Sequence, residues 1–447
     1  MHNMHDLMAL ITVCTFLLTI GFILWRPNIN EAYPATVGAF IVFLTGTVTF
    51  ADLGAITETI GGAAITIMAT IVMAIVLESF GFFNWAAEIL TRTARGSGIR
   101  LFWLTNLFCF LMTLFVNNDG SILITTPILL MLLKNMGLKN RQKIPYLLSG
   151  ALIATASSAP IGVSNIVNLI ALKIVDMDLY MQTAMMFVPS FLGLLLLTVL
   201  LFAMFYRTLP KKLPAVKKWH FPPGGHPLKG GVLNTENRGK FMRNVLIFIF
   251  CVRVSLFVAS YIHFPVSLMA VIGSAALLGW RWIYLKIPPL DMVKKTPWYI
   301  LIFAFGMYVI IYGLKNIGLT ELLIHYLQPL ISGSLLHASV LMGALMTIMS
   351  NLFNNHPALM IGTLTLTNMG LDPLTLKVSY LASVIGSDIG SLLLPIGTLA
   401  TIMWMHIIRK GGVKLNWGEY LKVTIIVIPV TVLATLVMLT YWVYWIF

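Results

Sequence analysis

Residues 116–120 read VNNDG and residues 353–357 read FNNHP, and each polar cluster interrupts a long apolar run. Unsatisfied polar groups cost several kcal/mol each in hydrocarbon, so clusters at these positions need a structural or functional reason. Each contains a glycine or a proline, which breaks helices. We therefore predict that each apolar run folds back at its cluster as a re-entrant hairpin, over residues 101–133 and 336–367. Two short membrane spans in each run are the alternative.

An internal repeat relates the two clusters, whose central asparagines are 355 − 118 = 237 residues apart. Two further pairs recur in the same order: ESFGF (78–82) with KNIGL (315–319), also 237 apart, and PIG (160–162) with PIG (395–397), 235 apart. Recurrence at nearly constant spacing indicates two copies of one unit. We predict that residues 1–206 form the first copy, that 207–243 are a basic cytoplasmic linker, and that 244–447 form the second copy.

Composition excludes the soluble classes of protein. Of the 447 residues 59% are hydrophobic and only 10% are charged, which is too few charges for a water-facing surface. The net charge of +14 falls in short loops between apolar runs, as in cytoplasmic loops of membrane proteins, so it does not indicate a nucleic-acid partner. The three cysteines lie in apolar stretches without metal-type spacing. No metal, cofactor or Walker-type nucleotide site is predicted.

About 20 apolar residues cross a bilayer, and this length predicts an all-α polytopic membrane protein. The ten predicted crossings are residues 7–25, 33–51, 60–83, 145–175, 181–206, 244–262, 264–283, 297–315, 378–408 and 421–446. The first has no preceding Lys or Arg and is expected to be a retained helix rather than a secretory signal.

These crossings sort the connecting loops by charge. One side, the basic face, receives loops containing Arg26, Lys139, Lys294 and Lys410; the other, the acidic face, receives loops containing Glu58, Asp178, Glu321 and Asp372. The positive-inside rule makes the basic face cytoplasmic and both termini extracytoplasmic, in the cell membrane. Five crossings in each copy is an odd number, so the copies are inverted relative to each other. Inverted repeats whose broken helices meet at mid-membrane are typical of secondary transporters.

A polar substrate cavity is predicted where the hairpin tips meet two interrupted helices, within 145–175 and 378–408. Pro and Gly unwind these helices, and hydroxyl and amide groups line the gap. The predicted substrate-binding residues are Asn117, Asn118, Gly120, Ser157, Ser158, Ser164, Asn165, Asn354, Asn355, His356, Ser387, Ser391 and Thr398. The alternative is that these clusters are loops outside the membrane.

Asp119 and Asp388 are the acidic residues placed most clearly inside membrane segments. An intramembrane carboxylate is by default a proton or cation site, and we predict that these two couple transport to protons. A neutral, hydrogen-bonded acid that holds a bend is the alternative for each. His356 at the second tip either titrates near neutral pH or hydrogen-bonds within the turn.

These residues resemble the ArsB-type arsenite permeases of the ion transporter superfamily, nearly end to end. The matching segments are ESFGFFNW (78–85), NDG (118–120), VSN (163–165), GMY (306–308), YGL (312–314), NN with Pro357 (354–357), and PIGTLAT (395–401) with Trp404 and His406. The resemblance implies export of arsenite and antimonite, driven by the proton motive force. It also implies an accessory arsenic ATPase as a possible partner.

The chain departs from the family pattern at a few positions. Thr155 stands where the family usually has an acidic residue, and Ser391-Leu392 with Leu394 stand where it usually has Pro-Lys and a following Thr. One acid and one base are therefore absent together, as expected if a paired charge was lost. His356 replaces an apolar residue and Asn117 a small one. Coupling or substrate is expected to differ accordingly.

Arsenite near neutral pH is a small uncharged trihydroxide, which Asn, Ser and Thr side chains can bind through hydrogen bonds. The expected exchange is proton in and arsenite out. A related carrier for an inorganic oxyanion, a carboxylate or Na⁺/H⁺ exchange is the alternative. A channel is disfavoured because no selectivity filter repeats in the sequence. An enzyme is disfavoured because neither His-Glu-x-x-His nor Gly-x-Ser-x-Gly occurs.

Overall fold

The computed structural model describes residues 2–26, 29–213, 238–331 and 333–447, and within these ranges the chain is helical without strands. The first half contains α1 His2–Trp25, α2 Ala32–Leu44, α3 Phe50–Ser79, α4 Phe82–Ala94, α5 Gly98–Phe115, α6 Asn118–Asn135, α7 Asn140–Ala156, α8 Ile166–Ile174 and α9 Leu179–Phe205. The second half contains α10 Arg238–Tyr261, α11 Val266–Leu285, α12 Leu290–Lys295, α13 Tyr299–Asn316, α14 Leu319–Ile331, α15 Leu335–Phe353, α16 Asn355–Thr367, α17 Pro373–Asp388, α18 Leu399–Lys410 and α19 Trp417–Ile446. Most of the predicted linker, residues 214–237, lies outside the described residues.

Ten helical segments of the described chain are long and apolar enough to cross a membrane, which confirms the predicted number. Eight coincide with predicted crossings, but two do not. The crossing predicted at 33–51 is wrong in extent, because α2 ends at Leu44. The Thr49 hydroxyl then accepts the Asp52 backbone N–H while the Asp52 carboxylate accepts the Thr49 N–H, and this capping box starts α3. The crossing predicted at 145–175 is divided into α7 and α8, each shorter than a span. The two other candidates are α5 and α15, the first legs of the predicted hairpins.

Helix–turn–helix pairs lie at the positions of the predicted hairpins, and helix breaks lie at the positions of the predicted broken helices. Helices α5 and α6 contact each other and are joined by two residues, and α15 and α16 by Asn354 alone. Helix α7 ends at Ala156 and is followed by a 3₁₀ turn at Gly162–Ser164 before α8. Helix α17 ends at Asp388 and is followed by a 3₁₀ turn at Gly390–Leu393 before α18.

The repeat spacing extends to elements that the sequence did not predict. The short helices α4 and α14 begin and end 237 residues apart (319 − 82 and 331 − 94). Each follows a glycine with positive φ, Gly81 (77°) or Gly318 (92°), which an L side chain would strain. The two halves interlock through equivalent contacts: α2 packs on α13 as α11 packs on α3, and α6 packs on α18 as α16 packs on α8. Each hairpin therefore contacts the broken helix of the other half.

Burial distinguishes the central helices from the peripheral ones. In the most apolar stretch of Pro373–Leu393, 83% of the residues are buried, whereas in that of Val266–Leu285 only 28% are buried. Large apolar side chains such as Leu18, Phe250 and Ile425 are exposed on α1, α10 and α19, as expected of lipid-facing surfaces. Helix α17, which ends in the second break, is thus enclosed by protein.

Gly386 permits the close packing of α17 on α15. A Cβ atom at this position would lie 2.3 Å from the carbonyl oxygen of Gly343 and 2.8 Å from the Cβ of Met346. We expect Gly386→Ala to lower stability by about 1–3 kcal/mol through overpacking, measured as thermal unfolding of the detergent-purified protein. Gly54→Ala is the control, because no atom lies within 4 Å of its added Cβ and alanine favours helix. An unchanged unfolding temperature for Gly386→Ala would contradict this packing.

Candidate functional site

Asp388 stands at the end of α17, and its fully buried carboxylate accepts three hydrogen bonds from the first half of the chain. The donors are the Ser158 hydroxyl (2.8 Å), the Asn165 amide (3.1 Å) and the Asn168 amide (2.6 Å). Ser158 and Asn165 lie in the break between α7 and α8, and Asn168 lies in the first turn of α8. Side chains of an unwound segment are not packed as in a helix, so these polar groups can turn toward Asp388. The cluster of Asp388, Ser158, Asn165 and Asn168, hereafter the Asp388 cluster, joins the two breaks across the molecule.

The structure thus brings Ser158 and Asn165 to Asp388 as neighbours, and it adds Asn168, which sequence reasoning missed. The sequence signal for Asn168 was weak, because a single asparagine in an apolar helix is equally compatible with a purely structural role. Tyr380 donates its hydroxyl to the Asn168 carbonyl oxygen (3.2 Å), which fixes the start of α8 against α17.

Several candidate residues carry a buried polar atom without a hydrogen-bond partner in the described protein. They are the amide oxygens of Asn118 and Asn355, the amide nitrogen of Asn354, and the hydroxyls of Ser164, Ser387 and Ser391. Leaving such a group unsatisfied costs about 1–3 kcal/mol. Five of the six atoms are oxygens that can accept a hydrogen bond, so the set suits a polar solute that donates several.

The two hairpin tips are built by asparagines in different ways. At the first tip, the Asn117 side chain accepts the Gly120 backbone N–H (2.7 Å) and caps α6. At the second, Asn354 has a positive φ of 76°, which asparagine tolerates. The Asn355 backbone N–H donates to the Gly397 carbonyl oxygen (2.9 Å), so this tip is attached to the break between α17 and α18.

Other candidates have local structural partners. The Ser157 hydroxyl donates to the Ile153 carbonyl oxygen, and Thr398 caps α18 by accepting the Thr401 backbone N–H (3.0 Å). Gly120 leaves room for the Asn117 side chain, since an added Cβ would lie 2.4 Å from the amide oxygen of Asn117. These three residues shape the site through local contacts.

Asp119 lies apart from the Asp388 cluster, in a small cavity of about 50 Å³. Asn117, Glu31, Tyr299 and His356 also line this cavity, hereafter the Asp119 cavity. The His356 ring is buried with its centroid 5.6 Å from that of Phe303. Asp119 and Glu31 therefore line one cavity, whose lining does not include Asp388.

Asn351, on the last turn of α15, holds the second break in place and was not among the predicted residues. Its amide nitrogen donates to the Gly390 carbonyl oxygen (2.9 Å), and its amide oxygen accepts the Leu394 backbone N–H (2.7 Å). These backbone groups have left the regular helix and need such partners.

Arg253 is a second residue that the sequence did not reveal. Its buried guanidinium donates to the carbonyl oxygens of Phe115 and Val116, where α5 ends at the first hairpin tip. The residue 237 positions earlier is Phe16, whose ring lies 5.7 Å from Phe353 at the second tip. Equivalent positions thus support the two tips, one by charge and hydrogen bonds and one by aromatic contact.

The described residues form ten candidate membrane-crossing segments, of which two are the first legs of the hairpins, and two broken helices that meet around buried polar groups. This architecture defines a polytopic membrane transporter. A family model described as "Arsenical pump membrane protein" matches residues 11–443. The chain belongs to the arsenical pump membrane protein family, which confirms the resemblance seen in the sequence.

Curated relatives agree with this family. A protein of Bacillus subtilis (strain 168), provisionally named an arsenical pump membrane protein, is 61% identical over 97% of this chain and 99% of its own length. The arsenical pump membrane protein of Escherichia coli is 29% identical over 92% of this chain and 94% of its own length. Among solved structures, the Alcanivorax borkumensis YdaH transporter has a similar fold, with a TM-score of 0.54, 14% identity, and coverage of 89% of this chain and 90% of that one.

Proposed function

We propose that the protein exports arsenite and antimonite by proton antiport, through alternating access to a site between two inverted repeats. The observation that carries the proposal is the Asp388 cluster, in which a carboxylate from one repeat is buried against donors of the other. A carboxylate enclosed between two moving halves can exchange its proton with only one side at a time. The arsenical substrate follows from family membership.

The solute and the proton compete for the same carboxylate. Neutral arsenite carries three O–H donors, and an ionised Asp388 can accept one while the free oxygens of Asn118, Asn355 and the serines accept others. A protonated Asp388 loses acceptor capacity and binds arsenite less well. Competition of this kind makes the carrier exchange one for the other, as antiport requires.

Interlocked contacts between the halves support alternating access. Each hairpin packs on the broken helix of the opposite half, α6 on α18 and α16 on α8. A rigid-body movement of one repeat against the other therefore changes the access of both tips together. In this proposal the basic face is cytoplasmic, both termini are extracytoplasmic, and the two hairpins enter from opposite faces.

Thr155 and Leu392 support the idea that a charged pair was lost. Both are fully buried, the Thr155 hydroxyl has no hydrogen-bond partner in the described protein, and α7 contacts the 3₁₀ turn that contains Leu392. Loss of both charges together keeps the net charge of this region unchanged. We infer that proton coupling rests on Asp119 and Asp388.

Uptake of arsenite into inverted membrane vesicles tests the function. We expect accumulation when a proton gradient is imposed, acid inside, and its loss when an ionophore collapses the gradient. The double variant Asp119→Asn/Asp388→Asn is expected to abolish gradient-driven accumulation, because neither position can then carry a proton. Intact proton-coupled uptake in this variant would overturn the assignment of both residues.

Uptake of Na⁺ and of succinate, measured separately in the same vesicles, tests the alternative that the protein is a related carrier for another solute. Accumulation of either one without arsenite would favour the alternative function. An accessory arsenic ATPase is part of the proposal only as an optional partner, and arsenite accumulation in vesicles without ATP would show that the permease works alone.

A further inference from the structure

Two cavities in the described protein occupy equivalent positions in the two repeats. The Asp119 cavity is lined by α13 (Tyr299 to Phe303), by α18 (Leu399 to Met403) and by Glu31 before α2. The other cavity, of about 390 Å³, is lined by α3 (Glu58 to Thr66), by α8 (Leu169 to Lys173) and by the residues that begin α11. Helices α13, α18 and α2 are the repeat equivalents of α3, α8 and α11, so one cavity is the counterpart of the other.

Inverted repeats place equivalent elements on opposite faces of the membrane. The larger cavity includes Asp178 and His263, in loops of the acidic face, and Glu58, in the third turn of α3 on the same side. The Asp119 cavity includes Glu31, which follows Arg26 in its loop, and Tyr299, which follows Lys295. The Asp119 cavity therefore lies toward the basic face.

Glu31 is the second acidic group in the lining of the Asp119 cavity. It is half-buried at the start of α2 and its side chain makes no capping hydrogen bond there. The titratable groups that share this cavity are Asp119, His356 and Tyr299, and its described lining contains no Lys or Arg to neutralise the carboxylates. Two carboxylates that line one small cavity do not both ionise easily, so one of them retains a proton that the other can accept.

We propose that Glu31 is a proton-release group, which takes the proton from the Asp119 carboxyl and passes it to water at the basic face. In this step the Asp119 O–H bond breaks, the proton moves to a Glu31 carboxylate oxygen directly or through water, and Glu31 then ionises into bulk water. The inference rests on the proposed function, since it concerns the proton path of the same antiport. Glu31 acts on the coupling proton and not on arsenite.

The test compares Glu31→Gln with the unchanged protein in inverted vesicles under two regimes. Gradient-driven arsenite uptake is expected to fall about tenfold, since positioned proton transfer contributes at least this much. Arsenite–arsenite exchange without a gradient is expected to stay unchanged, because exchange requires no proton release. Glu31→Asp should restore most gradient-driven uptake by returning a carboxylate.

The matched control is Glu88→Gln, which removes an exposed carboxylate of α4 that lines neither cavity and is expected to leave both uptake and exchange unchanged. Equal loss of uptake and exchange in Glu31→Gln would mean a structural role, and no loss of either would overturn the inference. Failure of the unchanged protein to accumulate arsenite would instead overturn the proposed function.

Discussion

Asp388→Asn is expected to lower arsenite transport by about a hundredfold while the protein still reaches the membrane. The substitution keeps the side-chain shape but replaces one acceptor oxygen with an NH₂ donor, which then faces the donors of Ser158, Asn165 and Asn168. A lost hydrogen bond to a charged group costs about 1.5–3 kcal/mol, and each 1.4 kcal/mol is about tenfold. Transport also loses its proton carrier. Initial rates of vesicle uptake, normalised to protein amount, measure the effect.

Asp372→Asn is the matched control for Asp388, because it makes the same change at the opposite end of α17. Asp372 is exposed and caps the helix by accepting the Thr375 backbone N–H (3.0 Å). Asparagine caps helices equally well, so transport should remain near the original rate. Near-normal transport in Asp388→Asn would contradict a central role for its carboxylate.

A double variant that swaps Asp388 and Asn168 tests whether transport requires the carboxylate at its exact position or only within the cluster. In Asp388→Asn/Asn168→Asp, the carboxylate moves to α8 and the amide to α17, where the new amide can donate back across a contact that is 2.6 Å in the original protein. We expect this double variant to recover protein stability relative to Asp388→Asn. Recovery of transport as well would show that the carboxylate functions from either repeat.

The helical framework was readable from the sequence because its signals are local. Apolar runs interrupted by Asn, Gly and Pro predicted both hairpins and both breaks, and the observed ends fall within a few residues of the predicted ones for α5, α6, α15 and α16. The end of α2 was missed because the uncharged residues 45–49, TGTVT, were counted as part of the crossing, although Thr49 caps α3. Helices α4 and α14 were missed because their short amphipathic patterns do not reach the length of a span.

The site was only partly readable because its geometry depends on contacts between distant residues. Asp388 and two of its three donors were predicted as members of one cavity, but the bond from Asn168 joins positions 220 residues apart. Glu31 has no distinguishing sequence pattern, since a single charged residue near a span end usually contacts the interface. Arg253 lies at the middle of the crossing predicted at 244–262, and its intramembrane charge is a signal that the sequence analysis did not use. Their significance arises from the cavity and the hairpin tip that the folded chain brings to them.

Asn351→Leu is expected to have the second largest effect, through the backbone of the second break. Leucine is similar in size but leaves the buried Gly390 carbonyl and the half-buried Leu394 N–H without their partners. At about 1–3 kcal/mol for each group, the loss is roughly 2–6 kcal/mol, a large fraction of the usual 5–15 kcal/mol of folding free energy. Thermal unfolding in detergent and vesicle uptake should both decline.

Ser350→Ala is the control at the neighbouring position. The Ser350 hydroxyl is buried without a hydrogen-bond partner in the described protein, so its removal should leave stability unchanged or slightly higher. Asn351→Asp tests the amide oxygen and the amide nitrogen separately. One carboxylate oxygen can still accept the Leu394 N–H, but the other replaces the NH₂ donor and repels the Gly390 carbonyl oxygen. We therefore expect Asn351→Asp to be destabilised also. Stability at the original level in both Asn351 variants would mean that the break is held by the surrounding helices, and α17 would then be expected to tolerate changes in its unwound segment.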